Sequence, residues 1–218
     1  MEKASANGSM TDVAYDTIQN QIVTGALKSH ELLSESEIAR ELNCGRTPVR
    51  EALQRLKFEG FVEILPRRGI LVSAVDVSKQ LELLETRRPL ENLVVTLACK
   101  RASDRQREEM RSLADRLESA VAEADRSHYL AINKAIHLLQ AEAANNRFLQ
   151  SQINVIHNLS RRFWYSFISD TASFSRAAVC HADTLRAIAD GDQEMAARHN
   201  SGLLDLLEAV TRQAIDQR

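Results

Sequence analysis

The spacing of apolar residues predicts two short helices near the N-terminus. Val13, Ile18 and Ile22 form a helical stripe. The stripe stops near Gly25, and glycine readily adopts the left-handed conformation that ends many helices. The segment Ser34–Glu37 places a glutamate three residues after a serine, which is the spacing of a capping box. We therefore expect the second helix to begin there, with the serine side chain as its cap.

A third helix is predicted after a turn at residues 43–45. Thr47 is expected to cap this helix and Pro48 to occupy its first position, where the missing N–H of proline costs little. One face of the helix is apolar and is expected to be buried: Val49, Ala52, Leu53 and Leu56. The opposite face then points to solvent with Thr47, Arg50, Glu51 and Gln54.

Two apolar runs after the third helix predict a β-hairpin with a basic turn. The runs are residues 61–65 and 70–72, and the sequence between them is Pro66-Arg67-Arg68-Gly69. Three helices followed by a hairpin are the order of a winged helix-turn-helix. We assign residues 11–75 to this domain, and residues 1–10, which are mostly small or polar, to a mobile arm.

The chain after Asp76 is predicted to be helical throughout. All three prolines and five of the seven glycines precede residue 90, so little interrupts the helical pattern beyond it. Six helices are expected, at roughly 77–102, 104–124, 127–144, 146–169, 172–190 and 192–215. The predicted fold is mainly α, with an N-terminal winged helix-turn-helix domain and, over residues 76–218, a C-terminal bundle of about six helices.

Composition adds limits on the class of protein. The 218 residues are 44% hydrophobic and 27% charged, as in an ordinary globular protein. No stretch approaches the ~20 apolar residues of a membrane span, and the N-terminus lacks the apolar core of a signal peptide. The three cysteines contain no CxxC pair, which favours reduced thiols. We therefore expect a cytoplasmic protein with no membrane partner.

Charge is distributed unevenly along the chain. The formal net charge of −2 argues against indiscriminate binding to nucleic acid. Between Arg40 and Val72, however, seven Lys and Arg residues face four Glu, a net of +3. Residues 1–39 cancel this excess with six acidic residues against two lysines. The basic stretch coincides with the predicted third helix and hairpin, which favours contact with DNA.

The exposed face of the third helix carries side chains that can recognise DNA. Arg50 can fork onto guanine, Gln54 can pair with adenine, and Thr47 can bind a phosphate or touch a thymine methyl group. Arg46 lies at the helix entrance, and the hairpin turn can reach the minor groove or its phosphates. The candidate DNA-binding residues are Arg46, Thr47, Arg50, Gln54, Arg55, Arg67, Arg68 and Gly69.

Glu51 is an acidic residue on this otherwise basic face, and two roles are open for it. It can accept a hydrogen bond from cytosine N4. It can also pair with Arg55, four residues later on the same helix, and this is the role we expect.

Several of these segments resemble a known family. The sequence from Arg46 to Leu56, preceded by Leu33-Ser34-Glu35 and followed by Glu59-Gly60-Phe61-Val62, resembles the GntR family of bacterial transcriptional regulators. The second half resembles the family's FadR-type effector domain, the FCD domain, through residues 85–91 and through His181. With six predicted helices, this effector domain is similar to that of the VanR-like subgroup of the family. The usual proline-glycine after the first helix and the usual Gly-Val-Ser before Arg46 are both absent.

This resemblance implies a regulator rather than an enzyme. The protein is expected to be a repressor. It is expected to bind a pseudo-palindromic double-stranded DNA operator as a homodimer. A small-molecule effector, a carboxylate by family precedent, would bind in the helical bundle and change operator affinity. The residues expected at the effector are Arg87, Asn133, His137, His181 and His199.

The resemblance also implies one divalent metal ion, such as zinc, nickel or manganese. Relatives hold it with an aspartate, a histidine four residues later and two further histidines. Asn133, His137 and His181 match the first three positions, and Leu203 takes the fourth, with His199 one turn earlier. Asparagine lacks the charge of aspartate, which weakens the set. Two other histidines match nothing and are expected to be hydrogen-bonded core or surface residues: His128 and His157.

Other roles stay open in the second half. Arg87 shares a helix face with apolar residues, so it is expected to be buried and paired, either with Glu91 or with the effector carboxylate. Trp164 fits a core position or a ligand platform. A helical metalloenzyme lacks the expected Glu-x-x-His or HExxH motif. A purely architectural dimer would not need polar residues inside its bundle.

Overall fold

The computed structural model describes residues 9–123, 126–167 and 171–216. Its contacts divide the chain into two units. The first, called the head, comprises Met1–Val75 with Arg161–Ser166, and the second, called the bundle, comprises Asp76–Ser160 with Phe167–Arg218. Most of the predicted arm, residues 1–8, lies outside the described residues, whereas Met10 already belongs to the first helix.

The head contains three helices and a small antiparallel sheet among its described residues before 76. In chain order its elements are α1 (Met10–Val23), β1 (Leu32–Leu33), α2 (Glu35–Glu41), α3 (Arg46–Phe58), β2 (Val62–Leu65) and β3 (Gly69–Val72). The strand order is β1-β3-β2. The two strands of the predicted hairpin pair with Val62 opposite Val72. Strand β1 was not predicted, since two residues are too few to show an alternating pattern.

Three local predictions for the head are wrong. Val13 is 50% exposed, so it is not part of the buried stripe of α1. Ser34 occupies the cap position of α2, but its side chain makes no capping hydrogen bond. The cap of α3 is Gly45 rather than Thr47, and the helix begins at Arg46. Gly45 has an extended backbone and provides no side-chain acceptor for the first N–H groups of α3. Glycine is tolerated at such a cap position, so the helix begins without a threonine cap.

The bundle contains six helices in the described part of the chain, as predicted. They are α4 (Val77–Arg101), α5 (Asp104–Ala122), α6 (Arg126–Ala143), α7 (Arg147–Phe167), α8 (Thr171–Asp190) and α9 (Gln193–Asp216). α8 packs against both α5 and α9, and α4 packs against α9. Part of the core is a cluster of small and branched residues from α4, α6, α7 and the turn after α6: Val94, Ala141, Ala144, Leu149, Ile153 and Ile156.

Arg107 joins the ends of two bundle helices. Its guanidinium donates hydrogen bonds to the carbonyl oxygens of Cys99 at 2.8 Å, Ile188 at 2.8 Å and Ala189 at 3.0 Å. These carbonyls belong to the last turns of α4 and α8, where backbone acceptors lack helical partners and a positive charge is favourable. Among the described helices, we find none with the length and apolar character needed to cross a membrane.

Candidate nucleic-acid interface and buried polar cluster

Helix α3 is amphipathic in the way its sequence predicts. The four predicted apolar positions are buried: Val49, Ala52, Leu53 and Leu56. The side chains predicted to face outward, Thr47, Arg50, Glu51 and Gln54, are all exposed, as is Arg46. A helix with a fully buried apolar stripe is held firmly by the head, so its polar face has a fixed orientation.

Arg50, at the centre of this face, is held by a carboxylate from the preceding helix. Its Nη2 lies 2.9 Å from Oε2 of Glu35, and its Nε also donates to the same carboxylate. These hydrogen bonds, followed by charge attraction, raise the pKa of Arg50 above its ordinary value. The pair is solvent-exposed, with 63% of the Arg50 side chain accessible, so water and salt weaken it. Arg50 is therefore oriented but easily released.

The expected ion pair between Glu51 and Arg55 is wrong. Glu51 instead accepts a hydrogen bond from the hydroxyl of Thr11 at 2.7 Å. Arg55 donates to Glu59 at 3.2 Å, and its guanidinium carbon lies 3.6 Å from the ring centroid of Tyr15. Helix α1 supplies partners that compete with the intrahelical pair. Arg55 thus helps to join α1 to α3 within the head.

The turn between β2 and β3 presents two exposed arginines, Arg67 and Arg68. Its backbone is unusual at two positions, since Arg67 has φ +62° and Gly69 has φ +108°. A Cβ on Gly69 would lie 2.9 Å from the carbonyl oxygen of Leu33 in β1. Gly69, predicted as a DNA contact, therefore has a structural reason to be glycine: it lets β1 approach β3.

A group of buried polar side chains lies inside the bundle, and we call it the polar cluster. Its members come from α4, α6, α7 and α8: Gln80, Arg87, Glu91, Asn133, His137, His157, Ser160 and His181, each at most 6% exposed. Burial of so many polar groups is costly unless they bind each other or a ligand.

Arg87 and Glu91 form the charged part of the polar cluster. The Nε and Nη2 atoms of Arg87 lie 3.0 and 2.7 Å from Oε1 of Glu91, which confirms the first of the two predicted pairings. The remaining Nη1 donates to the Ser160 hydroxyl at 2.8 Å, and that hydroxyl also accepts from Gln80. Burial alone would raise the pKa of Glu91, but attraction to Arg87 and the hydrogen bond from His157 hold it at about 2.

His157 also belongs to this cluster, as a buried and hydrogen-bonded histidine. Its Nε2 donates to Oε1 of Glu91 at 2.6 Å, and its ring stacks on His137 with centroids 3.8 Å apart. Its place beside Glu91 and His137 was not predicted, because residue 157 has no counterpart in the family's ligand pattern. A usable signal was present in α7, where His157 and Ser160 place polar groups three residues apart on a face with apolar Ile153 and Ile156.

Asn133 and His181 form a hydrogen bond with each other inside the polar cluster. The Asn133 amide nitrogen lies 3.0 Å from Nε2 of His181, and the neutral imidazole accepts this hydrogen bond through that nitrogen. Burial lowers the pKa of His181 to about 3. The rings of His181 and His137 pack in a T-shaped arrangement, with centroids 5.1 Å apart. His199 lies apart from this pair: its Nδ1 is 3.6 Å from Oδ2 of Asp183, and its side chain is 29% exposed.

A possible metal-binding arrangement within the cluster differs from the predicted one. In the described part of the chain, Glu91, His137 and His157 bring three ligand atoms within 4.8 Å of one another. Only His137 is shared with the predicted set of Asn133, His137 and His181. Trp164, left open between core and platform, is buried and groups with the head rather than with the polar cluster.

Comparisons with known proteins match both parts of the chain to described families. Residues 10–72 match the model of the bacterial regulatory proteins of the gntR family, and residues 82–206 match the FCD domain. The FCD match alone covers more than half of the chain.

Curated relatives carry names of transcriptional regulators. McbR of Escherichia coli (strain K12) is 27% identical over 145 residues, which are 66% of this chain and 66% of that protein. YdhC of Bacillus subtilis (strain 168) is 23% identical over 146 residues, 66% of this chain and 65% of that protein. The gluconate operon transcriptional repressor of B. subtilis is 39% identical over 82 residues, 38% of this chain and 33% of that protein. The chain thus aligns with about two thirds or less of these relatives.

Solved structures share the fold at low sequence identity. E. coli McbR/YncC superposes with a TM-score of 0.81 at 23% identity, covering 94% of this chain and 98% of that one. A putative transcriptional regulator GntR from Rhodococcus sp. RHA1 gives a TM-score of 0.74 at 21% identity, covering 97% and 100%.

Proposed function

Because the chain belongs to the GntR family of bacterial transcriptional regulators and carries an FCD domain, we propose that it is a repressor controlled by a small-molecule effector. Two features of the same chain carry this proposal: an exposed polar face of fixed orientation on α3, and a polar cluster with a buried ion pair and three histidines inside the bundle. The first feature suits DNA and the second suits a ligand. Its place of action is then the bacterial cytoplasm, where the chromosome lies. Membership of the VanR-like subgroup stays a prediction.

In the proposed DNA complex, the head places α3 in the major groove. Arg50 and Gln54 read bases, while Arg46 and Thr47 bind at the helix entrance. Exposed arginines of the hairpin turn contact the backbone or minor groove. Arg55 contributes indirectly, since its described partners all lie within the head.

The DNA-binding proposal can be tested with a matched pair of arginine variants. An operator is first selected from random duplexes with the full chain, and affinities are then measured by fluorescence anisotropy. Arg50→Ala is expected to lose about 1–3 kcal/mol of specific binding, because a bidentate contact to guanine is removed. Arg116→Ala, an exposed arginine of α5, is the control and should bind as the wild type does. Equal affinity of the two variants would exclude α3 as the reading helix.

We propose a homodimer on a two-fold symmetric operator. The basic stretch of one head carries a net charge of only +3, and joining two heads raises affinity without further contacts within each head. Sedimentation or light scattering should give twice the chain mass, and an operator cut to one half-site should bind far more weakly. A monomer that binds the half-site and the full site equally would contradict this arrangement.

The effector is proposed to bind at the polar cluster, with Arg87, Asn133, His137 and His181 nearby and His199 at its edge. The resemblance implies a carboxylate effector, and Arg87 supported this expectation as a buried cation that needs an anionic partner. Glu91 supplies that partner, so an organic carboxylate has to displace it or bind elsewhere in the cluster. A thermal-shift screen should compare sugar acids, hydroxy acids, aromatic acids and fatty acids with neutral analogues. A true effector at a hundred times its Kd stabilises by about 2.7 kcal/mol.

An architectural DNA-binding dimer is the alternative function. It predicts that no compound in the screen raises the melting temperature or changes operator affinity. The polar cluster favours the effector model, because a bundle used only for association is more stable with an apolar interior.

A further inference from the structure

We propose that a divalent transition-metal ion of the zinc type binds in the bundle to Glu91, His137 and His157. The site lies in the same polar cluster as the proposed effector pocket, so the inference rests on the proposed function for its role, although metal binding itself does not require it. Glu91 and His157 lie outside the ligand set that the family resemblance implies.

The three side chains offer the right donors in the right place. They project from α4, α6 and α7, and their ligand atoms lie within 4.8 Å of one another. All three are at most 4% exposed. Two imidazoles and one carboxylate are a zinc ligand set that leaves a fourth position open, and open positions are typical of sites that also bind a small molecule.

The ligand set implied by resemblance fits an ion less well. The nitrogen of His181 that faces Asn133 already accepts the hydrogen bond of the asparagine amide. Asn133 brings no negative charge, and the fourth position is the buried and apolar Leu203. The anionic ligand missing at residue 133 is supplied by Glu91 on α4.

Glu91 has an oxygen that the protein leaves unused. Its Oε1 receives Arg87 and His157, whereas its Oε2 is buried and has no hydrogen-bond partner among the described residues. A buried carboxylate oxygen without a partner is unfavourable. A metal ion at this carboxylate would compensate for the missing hydrogen bond.

Binding the ion changes the hydrogen bond between His157 and Glu91. Nε2 of His157 must give up its proton to bind the metal, and in a neutral imidazole this proton moves to Nδ1 of the same ring, so that the lone pair on Nε2 becomes available. Glu91 is already ionised, so it releases no proton. With both histidines bound as neutral imidazoles, metal binding is therefore expected to release no net proton.

Arg87 sets how tightly the ion is held. The guanidinium and the Glu91 carboxylate cancel in charge, so a bound dication leaves a net charge of two inside the bundle. Such a charge is costly in a poorly hydrated interior. We therefore expect an exchangeable ion that a chelator removes, rather than a permanent structural metal.

The test is a titration of the full chain, freed of metal by a chelator, with Co²⁺ followed by visible absorption and with Zn²⁺ followed by calorimetry. One ion per chain is expected, with a visible band for a site of low coordination number. Glu91→Gln and His157→Gln should each weaken binding by at least about tenfold. His128→Gln, an exposed histidine of α6, should leave the affinity unchanged. His181→Gln should weaken binding much less than His157→Gln.

Several outcomes would overturn the site. One is the absence of stoichiometric binding to the wild type. Another is a large loss in His181→Gln with none in His157→Gln, which would favour the set implied by resemblance. If a variant does not fold, as judged by circular dichroism, anomalous scattering from Zn²⁺ in wild-type crystals decides the question. Density beside Glu91 and His157 supports the proposal, and density beside Asn133 and His181 contradicts it. No DNA is present, so failure of the repressor model leaves this result intact.

Discussion

Single residues on α3 carry constraints that a helical wheel does not show. Arg50 forms an ion pair with Glu35, whose carboxylate lies 2.9 Å from its guanidinium. To bind a base, Arg50 must break this ion pair or keep only some of its hydrogen bonds. In the proposed DNA complex, this carboxylate would also repel phosphates near α3. We infer that Glu35 lowers affinity for non-operator DNA and thereby sharpens the choice of operator.

Glu35→Gln should therefore strengthen binding to random duplex DNA, on the order of fivefold at low salt, because a unit charge close to the phosphates is removed. Affinity for the operator should rise less, so discrimination falls. Anisotropy titrations on random and operator duplexes measure both. Glu37→Gln, an exposed neighbour on α2, is the control. If both variants bind random DNA equally, Glu35 has no such role.

His181 makes a second prediction at this scale, for chelator-treated protein. Its pKa is about 3 in the folded chain, against an ordinary 6.5 that applies after unfolding. Below pH 6.5 the unfolded chain binds a proton that the folded chain does not, so the free energy of unfolding falls as pH falls. Between about pH 7 and about pH 5.5 this residue should cost about 1 kcal/mol.

Urea unfolding at both pH values tests this. His181→Gln should lose about 1 kcal/mol less than the wild type on acidification, whereas His128→Gln should behave as the wild type does. An unchanged pH dependence in His181→Gln would mean that the folded protein protonates this histidine at ordinary pH.

The pairing of Arg87 with Glu91 was within reach of the sequence because both lie one turn apart on one helix. The position of His157 was not, since it depends on how α7 packs against α4. Similarly, Glu51 and Arg55 had the spacing of a helical pair, but contacts from α1 gave each another partner. Sequence spacing identifies partners within an element far better than across elements.

At the scale of elements, Gly69 fixes the hairpin turn. It combines φ +108° with a neighbouring carbonyl that a Cβ would meet at 2.9 Å. Gly69→Ala should therefore destabilise the protein by about 1–3 kcal/mol. Gly202→Ala is a matched control, because this glycine lies inside α9 with open space around it, and the change should be neutral or stabilise by up to about 1 kcal/mol. Equal melting temperatures of the two variants would contradict the turn argument.

The long helices of the bundle were predictable because each has many turns of apolar periodicity and a recognisable end. The capping box at Ser103 and the glycine at Gly191, with φ +77°, mark two of those ends. Short elements offered less information. Strand β1 has two residues and exists because Leu33 pairs with Ile70, a contact made across almost forty positions.

At the scale of the whole molecule, charge placement matters more than total charge. The chain carries −2 overall, yet the segment from Arg40 to Val72 carries +3. Operator affinity must then depend on a few arginines of the head, and each phosphate they bind contributes to salt dependence.

The double variant Arg67→Gln, Arg68→Gln should reduce the slope of log affinity against log salt by about 0.9 for each phosphate that the turn no longer neutralises. It should weaken binding to operator and random DNA by similar factors, since phosphate binding carries no sequence information. Affinities measured across a range of salt concentrations give both quantities. An effect confined to the operator would instead assign base recognition to the turn, and Arg116→Gln should change neither.

Strand β2 lies at the outside of the head's sheet, since the strand order is β1-β3-β2. Edge strands invite pairing with another chain and are a common origin of aggregation. Here the edge is only four residues long, its central Glu63 is exposed, and Pro66 follows it without an N–H to donate. We expect heads at high concentration to resist strand addition, so the protein should stay dispersed even where many copies gather on one stretch of DNA.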